Sequence, residues 1–296
     1  MELRQLRSFV VVAEELNVGR AAVRLHLTQP SLSRQIAALE RDLEVELFAR
    51  IKKRFVLTAA GATFLAEAQD LLRRSDEAVR AAQRTQRGEL GTLRLWFVQS
   101  ATFDALPRLL GAFRTAYPEV VLDLESMTTL RQTEALRDGR IDVGLLRPQA
   151  PAGTTAVGLA PGLETRVVSS DPVLVALPAG HRLVRRKRLR LADLADEPFV
   201  FYTRPSGPVV HDTLVGFCRS AGFTPRIEQE AADVQTIVSL VAAGLGVSLL
   251  IGPTPPSDPT SVVYRELSDD LPPWQLSVAW SPDNRSPVLA RFLDCV

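Results

Sequence analysis

Leu25-His26-Leu27-Thr28-Gln29-Pro30-Ser31-Leu32-Ser33-Arg34-Gln35-Ile36 contains the start of a helix with two distinct faces. Thr28 offers a capping oxygen, and Pro30 falls in the first turn, where amide donors have no helical partner to lose. Leu32 and Ile36, continued by Leu39 and Leu43, form one buried stripe. The other face begins with Gln29, Pro30, Ser33 and Arg34 and runs through Ala37 to Arg41, short, polar and partly cationic. Upstream, Leu3, Leu6, Phe9, Val10, Ala13 and Leu16 recur at helical spacing, and Val18, Ala22 and Leu25 mark a second short helix. A polar helix end that follows a tight connection from another helix is what docking into a DNA major groove requires. Arginine and glutamine pair two-pronged with base edges there, while serine reaches a base or a phosphate. A solvated face in a generic helical bundle fits these helices equally well.

Leu47-Phe48-Ala49-Arg50-Ile51-Lys52-Lys53-Arg54-Phe55-Val56-Leu57-Thr58 reads as two short strands around a basic tip, a wing. Such a hairpin lies along phosphates or reaches a minor groove, adding affinity that falls steeply with salt. The expected DNA contacts are Thr28, Gln29, Pro30, Ser31, Ser33 and Arg34 on the helix, with Arg50, Lys52, Lys53 and Arg54 on the wing.

The N-terminus resembles the LysR-type transcriptional regulators. The stretches that carry the resemblance are Met1-Glu2-Leu3-Arg4-Gln5-Leu6, Arg20-Ala21-Ala22, Leu25 through Ile36, Leu39-Glu40, Leu47-Phe48-Ala49-Arg50 and Leu57-Thr58-Ala59-Ala60-Gly61. Glu44 stands where this family usually has glycine, which predicts a strained turn, and Lys53 where its wing usually has arginine, which predicts relaxed readout. The resemblance implies a sequence-specific regulator that binds an interrupted palindromic promoter site as a dimer or tetramer, with RNA polymerase as a further partner. It implies no cofactor and no catalysis.

From Ala62 to about Arg87 there is no proline, no glycine, and Leu65, Ala68, Leu72, Ser75, Val79 and Ala82 alternate three and four apart. This heptad seam predicts a long helix that pairs with a second copy through Leu65, Ala68, Leu72 and Val79, or packs on its own domain. In the resembled family it is the dimerising linker.

Beyond Gly88 strands and helices alternate, which predicts a parallel sheet. Strands are expected at Thr92–Val98, Val120–Leu124 and Ile141–Leu146, then at Val173–Leu177, Phe199–Tyr202, Arg226–Glu230 and Val247–Leu250. Val262–Leu267 and Gln275–Trp280 are expected to return to the first sheet. The arrangement resembles a periplasmic-binding-protein fold. The expected organisation is a winged helix-turn-helix domain at 1–61, all-α apart from its wing, a linker helix at 62–88 and an α/β effector domain at 89–296. Its subdomain I takes about 91–161 and 267–296, and its subdomain II about 162–266.

Ligands of such sheets bind beyond the carboxyl ends of strands, in the cleft between subdomains. That rule selects Gln99, Ser100, Thr102, Thr128 and Thr129 on one side and Tyr202, Thr203 and Arg204 on the other. Each is also a possible helix cap. Arg147 either pairs with a ligand carboxylate or forms a surface salt bridge. Thr128-Thr129, Gln132 through Leu136 and Val234 through Val238 are similar to family members that sense aromatic acids or their ring-cleavage products, which implies a small anionic effector.

Of 296 residues, 46% are hydrophobic and 23% charged, which excludes global disorder and suggests two or three domains. Residues 1–61 carry ten Lys and Arg against seven Asp and Glu (+3), and residues 62–296 carry 25 against 27 (−2). No basic, apolar leader opens the chain, Cys218 and Cys295 make no disulfide framework, and the cytoplasm is the expected compartment. His26, His181 and His211 lie far apart without ligand-spaced partners, so no metal site is expected. Gly244-Leu245-Gly246 precedes a strand and lacks the helix that phosphate binding needs. The cluster Arg182, Arg185, Arg186, Lys187, Arg188 and Arg190 reads as a solvated loop, and Cys218 as core or a redox sensor. The competing reading is a solute-binding protein or enzyme that has acquired a helical N-terminus; the missing leader and missing nucleophile argue against it.

Overall fold

The computed structural model describes residues 1–51, 54–148, 162–253, 258 and 260–296. They form two compact units, Met1–Arg84 and Thr85–Val296.

The first unit contains α1 (Leu3–Glu15), α2 (Val18–Arg24), α3 (Gln29–Leu43), β1 (Phe48–Ile51), β2 (Arg54–Leu57) and α4 (Ala59–Gln86), whose last turn passes the divide. Side-chain caps set the boundaries. Asn17 accepts from Arg20 N at 3.0 Å to start α2, and Thr28 accepts from Ser31 N at 3.4 Å to start α3. The connection is short because His26 takes the left-handed conformation at φ 54°, letting Leu27 N donate to Ala22 O at 2.9 Å. Leu6, Phe9, Val12, Ala21, Leu32, Ile36, Leu39, Leu47 and Phe48 fill the core.

The wing is welded to α3. Glu40 accepts from Leu47 N (2.8 Å) and Phe48 N (3.2 Å), and Phe48 stacks on Phe55 with ring centroids 4.6 Å apart. Gly61 begins the approach of α4 to this strand, and a Cβ there would lie 2.0 Å from Leu47 O. Glu44 ends α3 at φ 60°, the left-handed conformation its position predicts.

The expected seam of α4 is largely taken up inside this unit. Ala68 is fully buried, and Leu65 and Leu72 pack on the same core together with Phe64. Only Val79 of the four expected seam residues faces outward, and Leu71, two turns earlier, is 42% exposed. The first half of a long helix helps close a small core, with Ala68 buried and Leu65 and Leu72 left half-buried on its surface.

The second unit begins with β3 (Gly91–Phe97), α5 (Ala105–Ala116), β4 (Val120–Ser126), α6 (Thr129–Arg137), β5 (Val143–Leu146) and β6 (Glu164–Asp171). It continues with β7 (Val173–Pro178), β8 (Arg188–Leu189), β9 (Pro198–Tyr202), α7 (Pro208–Ser220), β10 (Arg226–Ala231), α8 (Val234–Ala242) and β11 (Ser248–Ile251). The chain ends with β12 (Val262–Leu267), β13 (Trp274–Trp280) and α9 (Pro287–Leu293). One sheet has the order β4-β3-β5-β13-β6, and the other joins β11-β7-β12-β8 to the β9-β10 pair through a bridge between Phe199 and Val247.

Three expectations are corrected. The first sheet is parallel only through β4, β3 and β5; β13 and β6 run antiparallel to their neighbours. Val262–Leu267 pairs with β7 in the second sheet, and β13 alone returns to the first. Residues 164–171, assigned to subdomain II, form β6 at the edge of the first sheet, so the subdomains meet at Pro172 and between Leu267 and Trp274. The unbroken exposure of Glu164, Thr165, Arg166 and Val167 along β6 fits an edge strand, which hydrophobic runs alone do not mark.

Glu44→Gly is expected to stabilise the first unit by about 1 kcal/mol, because glycine takes the left-handed region without a Cβ clash. Gly61→Ala is expected to destabilise it by roughly 2 kcal/mol or more. Denaturant unfolding of the full chain checks both.

Candidate nucleic-acid interface and effector cleft

On α3 the buried stripe of Leu32, Ile36 and Leu39 leaves Gln29, Pro30, Ser33, Arg34 and Ala37 exposed, with Ser31 half-buried. Arg34 Nε rests 3.4 Å from Pro30 O, in reach of a stronger partner, while Ser8 donates to Gln35 Oε1 at 2.7 Å and fixes the helix against α1. Arg50 is exposed on β1 opposite Phe55. Lys52 and Lys53 lie outside the described residues, as does the side chain of Arg54. A free polar face, seated by the helix before it and flanked by a cationic hairpin, can enter a major groove.

In the second unit the parallel strands bring their carboxyl ends together. Val98 N donates to Leu145 O (2.9 Å), Met127 N to Phe97 O (2.9 Å) and Arg147 N to Thr129 Oγ1 (3.3 Å), so Ser100, Thr129 and Arg147 are neighbours. On the other subdomain Thr203 N donates to Ala231 O at 3.0 Å, placing Tyr202 and Thr203 beside the Asp233 cap of α8. Burial pushes the Asp233 carboxyl up, but bonds from Thr236 and the Gln99 side chain outweigh it and hold the group below the usual carboxylate range. Burial raises the Tyr202 hydroxyl far above its ordinary value, with partial relief from the positive charge of Arg147.

Arg147 is buried, with a side chain 5% exposed, so it is no surface salt bridge. Nη2 donates to Asp171 Oδ2 (2.6 Å) and Gly252 O (3.0 Å), Nη1 to Trp274 O (3.3 Å) and Nε to Ser100 Oγ (3.1 Å). Burial lowers its pKa and Asp171 counters this; the guanidinium remains charged. Four of its five side-chain donors are therefore satisfied by the protein itself, among them one that holds Ser100. Arg204 is also turned to other work, gripping Asp212 with two bonds of 2.7 and 2.8 Å. Thr102 donates to Gln99 O (2.7 Å), and Thr128 caps α6 by accepting from Arg131 N (3.5 Å). Asp171 and Asp233 were not anticipated: aspartates at strand ends are common, and only the fold places these two at the cleft.

In the basic loop, Arg182 pairs with Glu197 (2.6 Å), Arg186 with Asp193 (3.0 Å), Arg188 with Glu266 (3.3 Å) and Arg190 with Asp193 (3.5 Å). Cys218 is buried in the core, and burial pushes its thiol up to about 12, away from the thiolate. Among the described residues no group of three His, Cys, Asp or Glu could hold a metal ion, and no helix is long and apolar enough to cross a membrane.

Residues 3–62 match the bacterial regulatory helix-turn-helix proteins of the lysR family, and residues 86–296 match the LysR substrate binding domain. The chain belongs to the LysR-type transcriptional regulators. It is 37% identical over 293 residues to the HTH-type transcriptional regulator AlsR of Bacillus subtilis, covering 99% of this chain and 94% of that one. It is 43% identical over 251 residues to the uncharacterised HTH-type transcriptional regulator YnfL of Escherichia coli, covering 84% and 82%. The crystal structure of CbnR, a LysR family regulator, is similar with a TM-score of 0.85 at 30% identity, covering 100% of this chain and 99% of that chain. Full-length CbnR complexed with its target DNA gives a TM-score of 0.82 at 30% identity, covering 100% and 98%. As a LysR-type regulator the protein binds DNA in a sequence-specific manner under the control of a small molecule, and it is not an enzyme.

Arg147→Met leaves Asp171 buried without its cation and is expected to destabilise the effector unit by roughly 3 kcal/mol, with partial recovery on adding Asp171→Leu; denaturant unfolding checks the pair. Iodoacetamide at pH 8 is expected to leave Cys218 unmodified in the native protein and to label it after denaturation, as read by mass spectrometry.

Proposed function

We propose that this LysR-type regulator reads an interrupted palindromic promoter site as a dimer or tetramer in the cytoplasm and responds to a small anionic, partly apolar effector. The effector is an aromatic acid or a ring-cleavage product of one. It lies between the subdomains, against Ser100 and Thr129 on one side and Tyr202 and Thr203 on the other.

The observation that carries the anionic reading is the double use of two hydroxyls. Ser100 Oγ and Thr129 Oγ1 each accept a bond from Arg147, through Nε and the main-chain N respectively. Each hydroxyl therefore keeps its own hydrogen to donate, and both sit beside a buried positive charge. A ligand that brings acceptors and negative charge suits that pair. Phe103 and Tyr202 supply apolar surface nearby.

On DNA, Gln29, Ser33 and Arg34 read bases while Thr28, Pro30 and Ser31 position the helix start, and Arg50, Lys52, Lys53 and Arg54 follow the backbone. Binding of the effector shifts the relative placement of the DNA-binding pairs and the bend they select, which RNA polymerase then senses.

Footprinting with salt titration on the DNA immediately upstream of its own gene tests the reading; protection of two half-sites is expected, and no preference over random DNA would refute it. Arg34→Ala is expected to relax sequence preference by about 1–3 kcal/mol at one position, whereas Lys53→Ala reduces the salt slope by about 1. Ser100→Ala and Thr129→Val are each expected to weaken binding of an aromatic carboxylate by about tenfold in calorimetry. Equal binding by wild type and both variants would contradict the placement of the effector.

A further inference from the structure

One side chain spans the two subdomains at the rim of the cleft. Gln99 opens the 3-10 turn Gln99–Phe103 that follows β3, and its Oε1 accepts from Val234 N, the first amide of α8, at 3.3 Å. Asp233 caps the same helix through Thr236, whose amide donates at 2.9 Å and hydroxyl at 2.8 Å. Val234 N is left to the glutamine. From the other end of that 3-10 turn Phe103 packs with Tyr202 and Tyr264 on the cluster formed by Val200, Val234 and Ile237.

The turn that carries both groups is itself firmly seated. Thr102 donates to Gln99 O, closing the turn at 2.7 Å, and Arg147 holds the adjacent Ser100 at 3.1 Å. Subdomain I thus presents one polar and one apolar group to subdomain II from a fixed base.

We propose that Gln99 gates the effector cleft: its side-chain amide fastens subdomain I to the start of α8, and opening the cleft requires breaking that bond and withdrawing Phe103. The inference builds on the cleft reading above and adds the residue that sets the balance between fastened and open states. Released from Gln99, the Val234 amide and the Asp233 carboxylate that its side chain also bonds are both hydrated, so the net hold is that of one or two hydrogen bonds, a bias of about two- to tenfold. A bias of this size fixes the ligand-free population and is still overridden by a ligand of ordinary affinity. The state of the regulator without effector, and hence its ligand-free DNA footprint, then depends on residue 99.

Hydrogen exchange resolved to single amides, on the full-length protein and on Gln99→Ala and Gln99→Asn, reads the latch directly. Asparagine keeps the amide group but is one methylene too short. The Val234 amide is expected to exchange about two- to tenfold faster in both variants. Thr236, still bonded to Asp233, and the unfolding midpoint are expected to stay at their wild-type values. Both variants are also expected to change the ligand-free footprint on the DNA upstream of the gene. Unchanged exchange at Val234 in both variants overturns the latch. Faster exchange with an unaltered ligand-free footprint overturns its role as a gate. If wild type itself gives no footprint, the promoter-binding reading has failed, and the Val234 exchange rates still decide whether the latch exists.

Discussion

A single guanidinium, that of Arg147, sits where four segments of the effector unit converge. It leaves the end of β5, meets Asp171 at the end of β6, the Gly252 carbonyl after β11, the Trp274 carbonyl at the start of β13 and Ser100 in the turn after β3. The chain changes subdomain beside Asp171 and beside Trp274, so one buried cation touches both crossings. Taking such a charge out of water is costly, and it is tolerated because its donors are met by a carboxylate, two carbonyls and a hydroxyl in fixed geometry. The arrangement of cleft hydroxyls follows from it. Ser100 and Thr129 are held as acceptors by Arg147 and turn their hydrogens elsewhere.

Much of the N-terminal unit was legible in the sequence because its signals are local. Thr28 and Pro30 mark a helix start within two residues of each other, Leu32, Ile36 and Leu39 repeat at one helical period, and Glu44 betrays the left-handed turn it occupies. In the effector unit the strand-end rule selects Ser100, Thr129, Tyr202 and Thr203 from local signals too, and the fold places them at or just past the ends of β3, β4 and β9. What it missed is long-range. The Gln99 to Val234 bond joins residues 135 apart, and nothing near either residue announces the other. Strand β6 was missed because an edge strand with one solvated face has no continuous apolar run, and β12 was assigned to the wrong sheet because pairing partners are a property of topology.

The seam on α4 shows what periodicity states about secondary structure and what it leaves open about partners. Leu65, Ala68 and Leu72 repeat as a coiled coil would, yet they close the core of their own unit on Phe9 and its neighbours. A heptad pattern states that one face is apolar; it leaves open what that face meets. The outer positions Leu71 and Val79 remain exposed, and Leu65 and Leu72 stay half-buried.

The paired charges of the 182–190 loop carry a consequence for how the protein spends its time in a cell. Arg182, Arg186, Arg188 and Arg190 each face an acidic side chain, and residues 62–296 carry a net charge of −2. A unit so balanced contributes bulk without attraction for a polyanion. The surplus of +3 in residues 1–61 is thus the chain's main source of attraction for arbitrary chromosomal sequence, and it is small. On this charge balance, weak binding to arbitrary DNA is the expected consequence, with few non-specific contacts to break on release.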